Sequence, residues 1–453
     1  MSDTQILSIL DSLLPENKAK LPENWRSILQ AWHQSTHDDL TGIWNRKYFE
    51  ERCAERLQNE PGNYLMLCSD ISEFKLVNEL FGREKASSLL CAEAELFKNW
   101  PDQAHILYGK LSDDRFALLI QKEYFPLDLL TECTETLQRT LGSPTYRIKI
   151  SYGIYAVSDP LESVASMCDK ALIAMKTIHE SLEQCVAFYK PEMLRQVIHD
   201  REITGTFERA LQNGEFQIYL QPQISVDGRL LGAEALARWI HPDQKMTPPG
   251  EFISLFERTG LIHRLDEAIW EQAARKLRDW RCRGLQDYHI SVNISARDFF
   301  YIDICRHFTE LTQRYDIPPA KLNLEITEST LTQDVPDLRR QLLRLQKAGF
   351  LIEIDDFGSG YSSLNMLKDI CADILKIDMG FLQKTENPQR SHIILRSVLE
   401  LAHALNMSVI TEGVETQEQV QSLTEMGCDA FQGYYFSPPL PVAAFEDKYF
   451  VIV

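Results

Sequence analysis

The sequence predicts an α/β protein built in two parts. The first is a compact domain with a mainly antiparallel sheet. The second is a modified (β/α)8 TIM-type barrel whose first strand runs antiparallel to its second. Three observations carry this. The chain has 453 residues, more than one ordinary core accommodates. Residues 36–190 alternate helix and strand patterns around a hairpin, "HILYGKLSDDRFALLI". From residue 207 onward strand patterns recur with helical segments between them, eight in all, which is the signature of a barrel.

In residues 1–35, "TQILSILDSLL" has apolar residues at helical spacing. It admits two readings: a helix packed on its own domain, or one that docks a protein partner. In the first domain, "NYLMLCSDI" (63–71) and "YRIKISYGIYAV" (146–157) are strands. "KASSLLCAEAELFKNW" (85–100) and "SVASMCDKALIAMKTIHE" (163–180) are helices. Residues 191–206 are charged, helical in pattern and poor in Gly and Ser, which predicts a helical linker. The barrel domain, 207–453, carries strands at 216–222, 229–238, 288–295, 321–327, 350–356, 373–378, 407–413 and 429–437. Only "QISVDG" separates the first two. That is too short for a crossover helix, and Asp227-Gly228 is a hairpin turn, so these two strands are antiparallel.

Composition narrows the function. The chain is 44% hydrophobic and 25% charged without low-complexity tracts, as a globular protein is. A net charge of −19 argues against sequence-independent binding of DNA or RNA polymers, which needs a basic surface. Ten scattered cysteines form no CxxC pair, so a reducing cytoplasm and no zinc site are expected. The first residues lack a signal-peptide pattern, and no apolar run reaches the ~20 residues of a membrane span.

Strand alternation sorts the barrel residues. Ala233, Ala235 and Ala237 oppose Glu234, Leu236 and Arg238. Leu322, Leu324 and Ile326 oppose Asn323, Glu325 and Thr327. Helices cover the apolar side, so the polar set points into the barrel. Near the strand C-termini, Glu234, Asn293, Glu325, Asp355, Asp356, Lys376, Glu412 and Gln432 converge on one mouth. Any one such carboxylate is ordinarily a solvated rim group or a helix cap. Five together repel one another and lose hydration, which costs several kcal/mol unless cations compensate. Oxygen ligands without His or Cys suit Mg2+ or Mn2+. Two such ions ~3.5–4 Å apart are a recurrent device for phosphodiester hydrolysis.

The motifs "AEALAR", "VNIS", "LEITES", "IDDFGSGYSSL", "LKID", "TEGVET" and "FQGYYFSPPL", in that order over about 207–445, closely resemble the EAL domain. That family hydrolyses the bacterial second messenger cyclic di-GMP. The resemblance implies that Glu234, Asn293, Glu325 and Asp355 hold one metal, with Asp355 bridging to a second held by Asp356 and Glu412. It implies that Lys376 orients or activates the attacking water and that Arg238 grips a substrate phosphate. The resemblance also implies that Gln221 is the substrate-side glutamine and that Leu236 and Gln432 border the substrate. Glu328 steadies the loop at 356–364, which in the family links the site to a dimer interface. The expected product is linear pGpG. Intact metal ligands argue against the alternative, a non-enzymatic cyclic di-GMP receptor.

Upstream, "DDLTGIWNRKYF" (38–49), "SDISEFKLVNELFGREKA" (69–86) and "YGKLSDDRF" resemble the GGDEF domain, a diguanylate cyclase fold. The site departs from that pattern. Ser112 and Asp113 replace two glycines, Arg115 replaces the catalytic acid, Ser72 stands near Asp70 in place of a second acid, and Glu79 replaces an aspartate beside the guanine. Glu180 falls where a phosphate-binding arginine is expected. Gln103 and Ile106 replace the product-inhibition pair, while Asn78 and Lys176 survive. No cyclase activity is therefore expected, with Asp113 and Asp114 forming a solvated tip. Dimerisation, or regulation by bound GTP, remain as roles for this domain.

Overall fold

The computed structural model describes residues 25–125, 127–178, 184–332, 337–358, 372–378 and 388–450. The chain divides into two compact units, 1–199 and 200–453. Within the N-terminal segment, Trp25–Thr36 is a helix, and residues 1–24 lie outside the described residues. The helix Pro191–Gln212 continues six residues beyond the expected end of the linker at 206. Phe207 and Ala210 on its last turns are buried in the core of the second unit, so packing extends the helix there.

The first unit has six strands among the described residues: β1 Trp44–Asn45, β2 Tyr64–Ile71, β3 Ile106–Lys110, β4 Arg115–Gln121, β5 Ile150–Ala156 and β6 Val186–Phe188. Their order is β1-β3-β4-β2-β5-β6. The four central strands pair antiparallel, whereas the short edge strands β1 and β6 pair parallel. Every residue of β2 is buried, as expected of a central strand covered on both faces. The helix Val164–Lys176 packs closely against β5. A Cβ at Gly153 would overlap the Ala171 carbonyl, so glycine is required there.

The second unit continues the numbering: β7 Phe216–Ser225, β8 Leu230–Ile240, β9 Met246–Thr247, β10 His289–Asn293, β11 Leu322–Thr327, β12 Ile352–Phe357, β13 Ile374–Asp378, β14 Ser408–Glu412, β15 Ala430–Phe431 and β16 Leu440–Pro441. Eight of these close a ring in the order β7-β15-β14-β13-β12-β11-β10-β8, and β8 returns to β7. Strand β7 is antiparallel to both its ring neighbours, and the other ring pairs are parallel. This is a TIM-like barrel with a reversed first strand.

The eighth strand is shorter than expected from 429–437. After Phe431 the chain turns, with Phe436 and Ser437 donating their amides to the Gly433 carbonyl and Tyr435 to Val414. The apolar set Ala233, Ala235, Leu322, Leu324, Ile290 and Val292 lies in one core with the helices outside, as alternation requires. Nine free cysteines, six of them buried, and no disulfide occur among the described residues.

Candidate active site

The polar face of each barrel strand ends at one mouth. Strand β8 delivers Glu234, Leu236 and Arg238, β10 Asn293, β11 Glu325, β12 Asp355 and Asp356, β13 Lys376 and β14 Glu412; Gln432 follows β15. Consecutive strand residues ordinarily face opposite sides. Strand β12 escapes that rule through a register irregularity between Ile354 and Phe357, with Asp356 at φ 55°. In consequence Asp355, Asp356 and Glu412 each place a carboxylate oxygen within 4.8 Å of the others. Glu234, Glu325 and Glu412 form a second such group. The two groups share Glu412.

Lys376 is fully buried among them. Its Nζ is 3.2 Å from Glu234, 3.4 Å from Asp355 and 2.5 Å from Glu412, and it also pairs with Glu325. Burial alone would lower the ammonium pKa, but four carboxylates, Glu234 first, hold it well above the ordinary lysine range. Burial and then the Glu234 charge push the Glu325 carboxyl well up. Burial raises Glu412 to about 8 against the pull of Lys376. Asp355 goes the other way, because Lys376 and a hydrogen bond with Glu325 outweigh its burial. Asp356 is raised by partial burial and by Asp355.

Two buried carboxylate oxygens here are under-satisfied: Glu325 Oε2 has no hydrogen bond, and Asp355 Oδ1 has only the Lys376 ammonium, at 3.4 Å. Under-satisfied oxygens in an all-oxygen donor set with excess negative charge fit hard divalent cations. The residues that would hold them are Glu234, Asn293, Glu325, Asp355, Asp356 and Glu412. Asn293 Nδ2 donates to Glu234 Oε1 at 3.0 Å, which leaves its own carbonyl oxygen free to face a cation.

A cleft of about 470 Å³ opens beside this cluster, lined by Gln221, Glu234, Leu236, Asp355, Glu412, Gln432 and Tyr434. Arg238 lines an adjoining cavity together with Glu234, Asn293, Asp355 and Asp356. Its guanidinium lies over the Tyr219 ring at 5.8 Å and donates to the Ala237 carbonyl. Glu328 is buried and accepts from the Gly358 amide at 3.0 Å, at the start of the expected 356–364 loop. The rest of that loop, Gly360 included, lies outside the described residues. Sequence reasoning missed Gln223, His289 and Glu353. All three follow the inward alternation of their strands. Glu353 accepts from Ser291 Oγ and Asn323 Nδ2 at 2.8 and 2.7 Å beneath the cluster.

In the first unit, Arg115 stands opposite Asp70 in the sheet register, and its Nε donates to Asp70 Oδ2 at 2.8 Å. The hairpin tip corrects one expectation. Asp113 is exposed, but Asp114 is half-buried, and burial followed by Asp70 raises its carboxyl. Glu180 lies outside the described residues.

Residues 205–439 match the model of the EAL domain family. The chain belongs to the EAL domain family. Ahead of the EAL domain, residues 35–184 match the diguanylate cyclase GGDEF domain. The chain is 30% identical over 447 residues to the bifunctional diguanylate cyclase/cyclic di-GMP phosphodiesterase MucR of Pseudomonas aeruginosa, covering 96% of this chain and 65% of MucR. It is 27% identical over 421 residues to the cyclic di-GMP phosphodiesterase NbdA of the same organism, covering 91% of this chain and 53% of NbdA. The chain thus spans roughly half to two thirds of the length of these relatives. Among solved structures, the PaMucR phosphodiesterase in complex with c-di-GMP is similar at 35% identity and a TM-score of 0.51. It covers 54% of this chain and 99% of that one. No described helix is long and apolar enough to cross a membrane.

Proposed function

We propose that the EAL domain of this chain is a phosphodiesterase that opens cyclic di-GMP to linear pGpG, using two divalent cations, Mg2+ or Mn2+. The observation that carries this is the convergence of five carboxylates around the buried Lys376 at the C-terminal ends of the strands. Enzyme sites on such barrels form at that end. The MucR and NbdA names and the c-di-GMP complex of PaMucR support the substrate. Bound cations supply a water acidic enough to ionise near neutral pH and a counter-charge for the reacting phosphate.

The chain's own residues do the rest. Lys376 holds the carboxylates in one arrangement and orients the attacking water. Arg238 offers its guanidinium to a phosphate oxygen, where it stabilises charge as that charge develops. Gln221, Leu236 and Gln432 wall the cleft and orient the substrate. Glu328 anchors Gly358, which follows Asp356 closely enough to restrain it. The water oxygen would add in line to one phosphorus and give up one proton, the P–O3′ bond would break, the leaving O3′ would take up one proton, and pGpG would depart.

The GGDEF domain makes no cyclic di-GMP in this reading. Arg115 puts a cation where a carboxylate is needed and occupies Asp70. Its roles are dimerisation or regulation through bound guanine nucleotide, in a cytoplasmic homodimer, with residues 1–35 open to a protein partner. The test is hydrolysis of cyclic di-GMP by the purified chain with Mg2+ or Mn2+, with and without GTP, resolving pGpG by chromatography. Metal-dependent pGpG that disappears in Glu234→Ala supports the enzyme. Tight binding without turnover in every condition makes the chain a receptor.

A further inference from the structure

Behind the Glu234 carboxylate runs a chain of buried amides. Gln432 Nε2 donates to Glu234 Oε2 at 2.6 Å and lies 3.2 Å from Gln221 Oε1. Gln223 Nε2 donates to Gln432 Oε1 at 3.3 Å. His289 Nε2 meets Gln223 Oε1 at 2.7 Å. Gln221 in turn gives its amide to the Ser437 carbonyl at 3.4 Å.

The polarity of this chain follows from its ends. An ionised carboxylate and a backbone carbonyl only accept, so the Gln432 and Gln221 nitrogens must face them. Gln432 Oε1 is then an acceptor and needs a donor, which Gln223 Nε2 supplies. Gln223 Oε1 must accept in its turn, and its partner is His289. The histidine therefore carries its proton on Nε2. Burial, with Lys321 nearby, lowers its pKa to about 4, so the ring is neutral at neutral pH and has one N–H to give. The fold makes room for it: Gly232 is its register partner on β8, and a Cβ there would lie 2.7 Å from the His289 ring.

We infer that Gln223 and His289 are positioning residues for the metal ligand Glu234, acting through Gln432 as a one-directional hydrogen-bond relay across the barrel interior. The inference rests on the proposed metal role of Glu234. A ligating carboxylate held by an outer hydrogen bond is pre-oriented for its metal, and loss of such an outer partner typically weakens metal binding about 10–100-fold. Neither residue lines the cleft, so the relay reaches Glu234 and its cation from behind, through Gln432.

The test is Mn2+ titration of the full chain by calorimetry, alongside steady-state hydrolysis at limiting and saturating Mn2+. Gln223→Leu and His289→Phe should weaken Mn2+ binding about 10–100-fold. Turnover should fall at limiting metal and return at saturation. His289→Gln retains an N–H donor and should recover most of the affinity. Nitrogen-15 NMR of the imidazole should report the Nε2–H form. Glu234→Ala separates the two claims. Lost Mn2+ binding in Glu234→Ala with normal binding in Gln223→Leu and His289→Phe overturns the relay and leaves the metal site standing. Unchanged binding in Glu234→Ala overturns both. A Nδ1–H tautomer, or no recovery in a folded His289→Gln, also overturns the relay.

Discussion

Individual side chains here sit in environments that decide their chemistry. Lys376 is the clearest case, an ammonium sealed among four carboxylates. Truncating one member of a buried ion cluster leaves uncompensated charge. Lys376→Met should therefore lose hydrolysis by about 10²–10⁴-fold while cyclic di-GMP binding persists; turnover and equilibrium binding measured on the same preparation check this. In the first unit Glu93 is fully buried and accepts from Ser69 Oγ at 2.6 Å. Burial pushes its carboxyl from 4.5 up to about 8. The folded state thus holds this proton more tightly than the unfolded chain does. The first unit is favoured below the lower value and loses stability as pH rises through the higher one, by up to ~1.4 kcal/mol per pH unit. Glu93→Gln should flatten that slope in denaturant titrations run from pH 5 to 8. An unchanged slope would place the titration elsewhere.

At the scale of elements, close approach and capping carry the energetics. Gly153 lies where the helix Val164–Lys176 crosses β5 at backbone distance, and the obstructing atom is a carbonyl that cannot swing aside. Gly153→Ala should destabilise the first unit by about 1–3 kcal/mol or more, read from its unfolding midpoint. The helix Gln417–Glu425 starts with a capping box, in which Thr416 accepts from the Gln419 amide and the Gln419 side chain reciprocates. Thr416→Ala should cost about 1 kcal/mol by the same measure. Most elements were legible in the sequence because their patterns are long. The eleven-residue strand β8 alternates Ala233, Ala235 and Ala237 with Glu234, Leu236 and Arg238, and the Asp227-Gly228 turn announced its antiparallel partner. The edge strands β1, β6, β9 and β16 have two or three residues each and carry no period to detect.

For the whole molecule, a cation held at the acidic barrel mouth would couple its binding to stability. A cation that binds the folded mouth and not the unfolded chain stabilises by about 2.7 kcal/mol at a hundredfold excess over Kd. Adding Mn2+ should raise the melting temperature associated with the EAL domain, chelator should reverse it, and Glu234→Ala should abolish the shift. A shift that survives in Glu234→Ala would move the cation elsewhere.

The sequence by itself determined the two α/β patterns, the reversed first barrel strand and the set of inward-facing polar residues. Those features are written in local periodicity and turn chemistry, which neighbouring residues settle among themselves. Tertiary structure decided the rest. The irregularity in β12 brings Asp355 and Asp356 to the same mouth against strand alternation. Register across β4 and β2 sets Arg115 against Asp70. Closure of the barrel brings Gln223, Gln432 and His289 into one line behind Glu234. Each of these depends on pairing between residues far apart in the chain, and a hydrogen bond between such residues leaves no local trace in either segment.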